Sequence, residues 1–157
     1  MHIRKATEKD IPDINRLLHQ VLTVHHEGRP DLFKPDCKKY TDSELKILLQ
    51  DNTKPVFVAI DSAGNLLGYV FCILKIYQDN HIHTDRKELY IDDLCVESFM
   101  RGKHIGKNLY EYVLDYAKSI GCYHVTLNVW ACNPSAEAFY QAMGMKPYKT
   151  SMEVILS

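Results

Sequence analysis

Residues 88–116 read ELYIDDLCVESFMRGKHIGKNLYEYVLDY, and the rest of the chain is organised around this stretch. It opens with a β-like run from Leu89 to Val96. A polar turn and a short basic, glycine-containing loop follow, Arg101-Gly102-Lys103-His104-Ile105-Gly106-Lys107. A long amphipathic pattern comes next, with Ile105, Leu109, Tyr112, Val113, Ala117 and Ile120 on one face and Gly121 at its end. A strand that hands a loop to a helix N-terminus gathers free backbone N–H groups and a partial positive charge, which suits phosphate. Asp92 and Asp93 lie on the strand just upstream, so the stretch pairs a phosphate seat with carboxylates.

Working outward, the spacing predicts a β-like start at residues 2–6, then a helix from the Thr7-Glu8-Lys9-Asp10 capping signal with Ile11, Ile14, Leu17, Leu18, Val21 and Leu22 on one face. Residues 25–35 carry two prolines and a glycine and read as a long loop, a kind of segment that in compact domains is usually functional. Thr41 to Glu44 starts a second helix. Pro55 to Ile60 and Leu66 to Ile76 flank the turn Asp61-Ser62-Ala63-Gly64-Asn65 as a hairpin. Tyr123 to Val129 is another strand, Asn133-Pro134 opens a helix that Gly144 closes, and a final strand is expected to about Leu156. The order β-α-α-β-β-β-α-β-α-β predicts an α/β (α+β) architecture, a mixed, mostly antiparallel sheet of about six strands with about four helices. Ligands in such sheets sit beyond strand C-termini, where neighbouring strands diverge.

A chain of 157 residues, 46% apolar and 25% charged, fits one domain over residues 1–157 with its own core. A net charge of −1 argues against binding nucleic acid through a broad basic surface. No apolar leader opens the N-terminus and no run is long enough to span a bilayer, so a cytoplasmic location is expected. Five cysteines without C-x-x-C spacing suit reduced thiols.

Two phosphate motifs fail on the loop. A P-loop needs four residues between its glycines and then Lys-Ser/Thr; here three separate Gly102 from Gly106, and Asn108 follows Lys107. The dinucleotide pattern G-x-G-x-x-G is absent. The loop does match Arg/Gln-x-x-Gly-x-Gly/Ala after a strand ending Leu-x-Val, and here the chain resembles the GCN5-related N-acetyltransferase (GNAT) superfamily. The resemblance covers nearly the whole chain, including Asn133 to Tyr140 and Gly144-Met145. His104 departs from it, standing where glycine is usual.

The resemblance implies a sheet splayed at an acyl-coenzyme A site, with acetyl-coenzyme A as donor. Its pyrophosphate would rest on Arg101, Gly102, Lys103, His104, Ile105, Gly106 and Lys107. The pantetheine arm would pair with Leu94, Cys95 and Val96 around a bulge that frees an N–H for the thioester carbonyl. Ile-Asp-Asp-Leu-Cys-Val looks like the Glu-Asp-x-x-Val strand of diamine acetyltransferases, which puts Asp92 at the general-base position. Glu27, Glu88 and Asp93 are the other carboxylates in play. A primary amine with pKa near 10.4 needs about 4.6 kcal/mol to reach its neutral, attacking form at pH 7, which gives such a base its purpose. The resemblance also places Tyr140 as the acid that protonates the leaving thiolate. Asn133 falls at a position that often contacts pantetheine, a role that competes with its N-cap role.

Strand alternation puts Tyr90 and Asp92 on one face and Ile91 and Asp93 on the other. Glu27, Arg29, Phe33, Tyr90 and Asp92 are expected to line the acceptor side. His81, His83 and Asp85 lack a third-ligand pattern, so no metal is expected. Cys95 has no histidine placed by sequence to activate it, which favours direct transfer over an acyl-enzyme. The expected reaction is direct acetylation of a primary amine, a small cationic one such as a polyamine or lysine-like amino acid. A peptide or protein amine and a non-catalytic acyl-coenzyme A sensor are the alternatives, and a homodimer is plausible from the family.

Overall fold

The computed structural model describes all residues from Met1 to Ser157. Its frame is one five-stranded sheet in the order β1-β2-β3-β4-β5, formed by His2–Lys5, Val56–Ile60, Leu66–Tyr77, Arg86–Val96 and His124–Leu127. The first four strands are antiparallel neighbours, and β5 joins β4 in parallel. The hairpin turn is held as the sequence suggests. Asp61 accepts the amides of Ala63 and Asn65, each at 2.8 Å, and Gly64 takes φ 89°.

Helices α1 (Ile11–Gly28) and α2 (Asp42–Gln50) cover one face of the sheet; α3 (Ile105–Ser119) covers the other, and α4 (Pro134–Ala142) follows β5. The first face packs Ile14, Leu17, Leu18 and Leu45 onto Val56, Val58, Tyr69 and Phe71. The second packs Leu109, Tyr110, Val113 and Ala117 onto Phe57, Val70, Leu89 and Ile91. Helices α1 and α2 thus bury residues of an apolar stripe, and in α3 the buried stripe includes Tyr110 while Tyr112, expected on that face, is exposed. At the start of the chain Asp10 accepts the Thr7 amide at 2.7 Å, one limb of the expected capping box, and a two-pronged bond from Arg4.

Two expectations need correction. The helical pattern continues past His25, so His25, His26 and Glu27 form the last turn of α1, and the loop begins at Arg29. Residues 145–157 form no strand, which leaves five strands rather than six. No backbone of this segment beyond Met145 has a partner within the chain. No helix is long and apolar enough to cross a membrane.

One buried charge ties the layers together. Glu97, just past β4, is 2% exposed and accepts from Arg16 and Gln20 on α1. Burial pushes its carboxyl up, but these donors outweigh burial and hold it below the usual range. Replacing Arg16 by Met leaves Glu97 short of its charged donor. It is expected to lower stability by about 1.5–3 kcal/mol, read as a fall in the urea midpoint at pH 7.

Candidate active site

The site follows from the way β4 outruns β5. Their pairing ends at Ile91 opposite Leu127, yet β4 continues to Val96. The edge of β4 that faces β5 is therefore unpaired from Asp92 onward, along Leu94, Cys95 and Val96. On its other edge the register with β3 slips: Cys72 faces Ile91 and Phe71 faces Asp93, which leaves Asp92 as the extra residue of a bulge.

The bulge overturns the simple alternation of the two aspartates. Asp93 accepts from Tyr69 Oη at 2.7 Å on the face covered by α1 and α2. Asp92 accepts from Lys39 Nζ at 3.3 Å, and Lys39 lies in the field of both carboxylates. The pair therefore converges on one ammonium. Burial pushes the Asp93 carboxyl above the usual range, while Tyr69 and Lys39 pull it back in part.

Beyond β4, residues 101–107 enter α3. Seven consecutive amides, Arg101 through Lys107, donate no hydrogen bond within the chain. His104 sits at the N-cap in the left-handed region, φ 61° and ψ 15°, where its side chain makes no capping bond. The departure from glycine noted in the sequence is thus a strained residue at the mouth of the anion seat. His104→Gly removes about 1–2 kcal/mol of left-handed strain against about 0.5–1 kcal/mol from the freer unfolded chain. The expected result is a small rise in the urea midpoint; a fall would instead assign the imidazole a stabilising contact.

Gly106 brings α3 close to its neighbours, since a Cβ there would lie 3.4 Å from Phe139 and 3.5 Å from Val96. Helix α4 is capped by Asn133, whose Oδ1 accepts from Ala136 N at 3.3 Å and Ser135 Oγ at 3.0 Å. Its Tyr140 is half-buried, 6.4 Å from Tyr110 and 5.1 Å from Phe139 between ring centres. Burial and the charge of Asp93 raise its phenol above the usual tyrosine range. Cys95 is buried, and its thiol is pushed up to about 12 by that burial and by Asp93, which suits a packing residue rather than a nucleophile.

The opposite wall is aromatic. Phe33 meets Trp130 edge-on at 5.2 Å and His25 at 5.0 Å. Burial lowers the His25 imidazole, whose electrostatic neighbours are Asp93 and Lys39, so this wall stands beside the acidic pair. Tyr90 receives Asn128 Nδ2 at 3.2 Å and carries the Lys75 ammonium over its ring at 4.3 Å.

Of the residues expected here, Phe33, Tyr90, Asp92, Leu94, Cys95, Val96, Asn133 and Tyr140 border the divergence of β4 from β5 or the elements beside it. Two acceptor-side candidates are placed differently. Glu27 is exposed on the last turn of α1, and Arg29 is held by Asp31 and Glu153. Glu88 lies at the paired end of β4, tied by Thr126 at 2.5 Å and Tyr77 at 3.3 Å. Sequence reasoning missed Lys39 and Trp130. The single tryptophan, in the short stretch between β5 and α4, carried a usable signal; Lys39, in a run of charged residues, carried none.

The Acetyltransferase (GNAT) family model matches residues 19–145. Glucosamine 6-phosphate N-acetyltransferase of Arabidopsis thaliana is 41% identical over 102 residues, covering 57% of this chain and 65% of that protein. Streptothricin acetyltransferase of Streptomyces lavendulae is 30% identical over 95 residues, 60% of this chain and 46% of that protein. The chain thus spans between about half and two thirds of the length of these curated relatives. Among solved structures, a point mutant of the BH1408 protein of Bacillus halodurans superposes with a TM-score of 0.95 at 31% identity, covering 100% of both chains.

Proposed function

The chain belongs to the acetyltransferase (GNAT) family, and on that premise we propose that it transfers an acetyl group from acetyl-coenzyme A directly to a small cationic primary amine. The observation that carries the acceptor half is the Lys39 ammonium, 3.3 Å from Asp92 and in the field of Asp93. A pair of carboxylates that holds one primary ammonium suits a substrate bearing another, such as a polyamine or a lysine-like amino acid.

The donor half rests on the unpaired edge of β4 and on the free amides of residues 101–107. The edge offers backbone groups to an amide-bearing arm, and the amides with Arg101 and Lys103 suit a pyrophosphate. When bound, acetyl-coenzyme A supplies an activated acyl group and a thiol leaving group. Asp92 draws the ammonium in and takes its proton. Asp93, braced by Tyr69, adds to the attraction. An amide on the unpaired edge of β4 donates to the thioester carbonyl as charge develops there. Tyr140, protonated at neutral pH like any tyrosine and raised further by burial and by Asp93, gives its proton to the departing sulfur.

An amino-sugar acceptor is the second reading, favoured by the 41% identity to the plant glucosamine 6-phosphate enzyme. A sugar phosphate needs a cation to meet it. Lys39 is engaged by Asp92 and Arg29 by Asp31 and Glu153, which supports the cationic amine instead. The test is thiol release from acetyl-coenzyme A with diamines, polyamines, lysine, glucosamine 6-phosphate and a free peptide N-terminus. Diamines or polyamines are expected to give the highest kcat/KM. Preference for the sugar phosphate or the peptide overturns the acceptor assignment; coenzyme A binding without release for any amine overturns catalysis and leaves a sensor.

A further inference from the structure

One lysine of the chain already stands where the proposed acceptor would. Lys39 belongs to the stretch between α1 and α2, and its Nζ lies 3.3 Å from Asp92 Oδ2. Its neighbour sets its place. The Tyr40 ring packs against the core and stacks on Phe71, 6.1 Å between centres and 18° between planes. Phe71 is the β3 partner of Asp93, so Tyr40 anchors this stretch to the sheet opposite the acid pair and delivers Lys39 to the bulge. The unpaired edge of β4, where the amide-bearing arm of the donor is placed, begins at the same residue, Asp92.

Other lysines of the chain are placed differently. Lys38, Lys46, Lys107 and Lys118 pair with acids at the surface, their side chains 58%, 55%, 50% and 75% exposed against 33% for Lys39. Lys75 covers the Tyr90 ring at 4.3 Å, but the carboxylate it acts on is Glu88, at the paired end of β4. Lys39 alone among these is a half-covered primary amine against the carboxylate read as the general base.

Resting on the transferase reading, we propose that the chain acetylates its own Lys39 when no amine fills the site, a transfer within one molecule that takes the resident cation off Asp92 and Asp93. Lys39 gives an ammonium proton to Asp92, and its free amine attacks the thioester carbonyl carbon. A C–N bond forms, the C–S bond breaks, and Tyr140 protonates the departing sulfur. The nitrogen loses two protons in all: one is accounted for by the thiol of coenzyme A, the other is released to water. Fixed placement makes the attack unimolecular. Burial favours the neutral amine, but Asp92, Tyr40 and Asp93 outweigh it and hold Lys39 above the usual lysine range. Self-transfer is therefore slow at neutral pH and quickens as pH rises. Its product is a neutral amide, which leaves both carboxylates to an arriving cation.

The test incubates the purified full chain with acetyl-coenzyme A and no amine, at several protein concentrations, and follows intact mass and peptide maps. The expected result is a gain of one acetyl group, on Lys39, at a rate independent of protein concentration and slowed by an added diamine. Asp92→Asn separates catalysis from reaction in free solution. Losing the carboxylate frees the Lys39 amine and speeds uncatalysed acetylation, whereas transfer that needs the base slows by about 10²-fold. The modified chain is expected to show a several-fold lower KM for its preferred amine. Acetyl groups spread evenly over Lys38, Lys75 and Lys39, a rate that rises with protein concentration, or faster modification in Asp92→Asn overturns the proposal. An unchanged or higher KM overturns the relief of the acid pair. An unmodified Lys39 in a chain that releases thiol with added amines overturns self-acetylation and leaves the transferase reading standing; no modification and no release with any amine overturns both.

Discussion

Asp92→Asn lowers kcat/KM for the preferred amine by about 10²- to 10⁴-fold, the range that removal of a positioned general base produces. The exchange keeps the shape of the side chain and its place on the bulge, so the loss reports the charge and basicity rather than packing. Two effects combine. The neutral amide no longer accepts the proton whose removal costs about 4.6 kcal/mol at pH 7. It also weakens the attraction for the incoming cation, which raises KM. A second consequence separates catalysis from simple binding: with a base gone, the rate tracks the small free-amine fraction and climbs with pH toward the amine's own pKa, near 10.4. Asp93→Asn serves as the comparison, because its carboxyl is braced by Tyr69 and set deeper than Asp92. A wild-type pH profile and kcat/KM in Asp92→Asn, with the loss appearing in Asp93→Asn, would move the base one residue along the strand.

The comparison of these two residues shows where a sequence reading stops. Strand 88–96, the amide-rich loop and the capped helices were legible because local chemistry sets them: alternation, capping side chains and helical periodicity. The bulge was not legible in its effect, since alternation assumes a period of two and the slip opposite Phe71 and Cys72 resets it. Lys39 reaches Asp92 across 53 positions, and nothing in its neighbours marks it. The length of α1 was underestimated because His25, His26 and Glu27 are polar and Pro30 follows closely, although a helix can run to the residue before such a break. The last strand is the reverse case. Its alternation predicted a strand and residues 145–157 form none, because alternation marks which face could be buried and does not supply an edge to pair with.

Tyr140→Phe lowers kcat by about 10²-fold or more while leaving the KM for the amine nearly unchanged, because the phenol acts after the amine has bound. The ring packs near Tyr110 and Phe139, and phenylalanine preserves that packing, so the fold and the position of α4 are retained. What disappears is a proton donor aimed at a leaving thiolate that without it must depart as an anion. The effect should therefore shrink for acyl donors whose thiol is more acidic, a dependence that loss of packing does not produce. The pH behaviour gives a second signature. Burial and the nearby charge of Asp93 hold the phenol protonated above the usual tyrosine value of about 10. The wild-type acid function is then retained as pH rises through that value and lost only above it. Asp93→Asn removes a charge that opposes ionisation, so it shifts this alkaline limb downward, and Tyr140→Phe abolishes it. A Tyr140→Phe enzyme with full kcat on every thioester, at every pH where the wild type works, assigns the proton to water and leaves Tyr140 as a wall of the cleft.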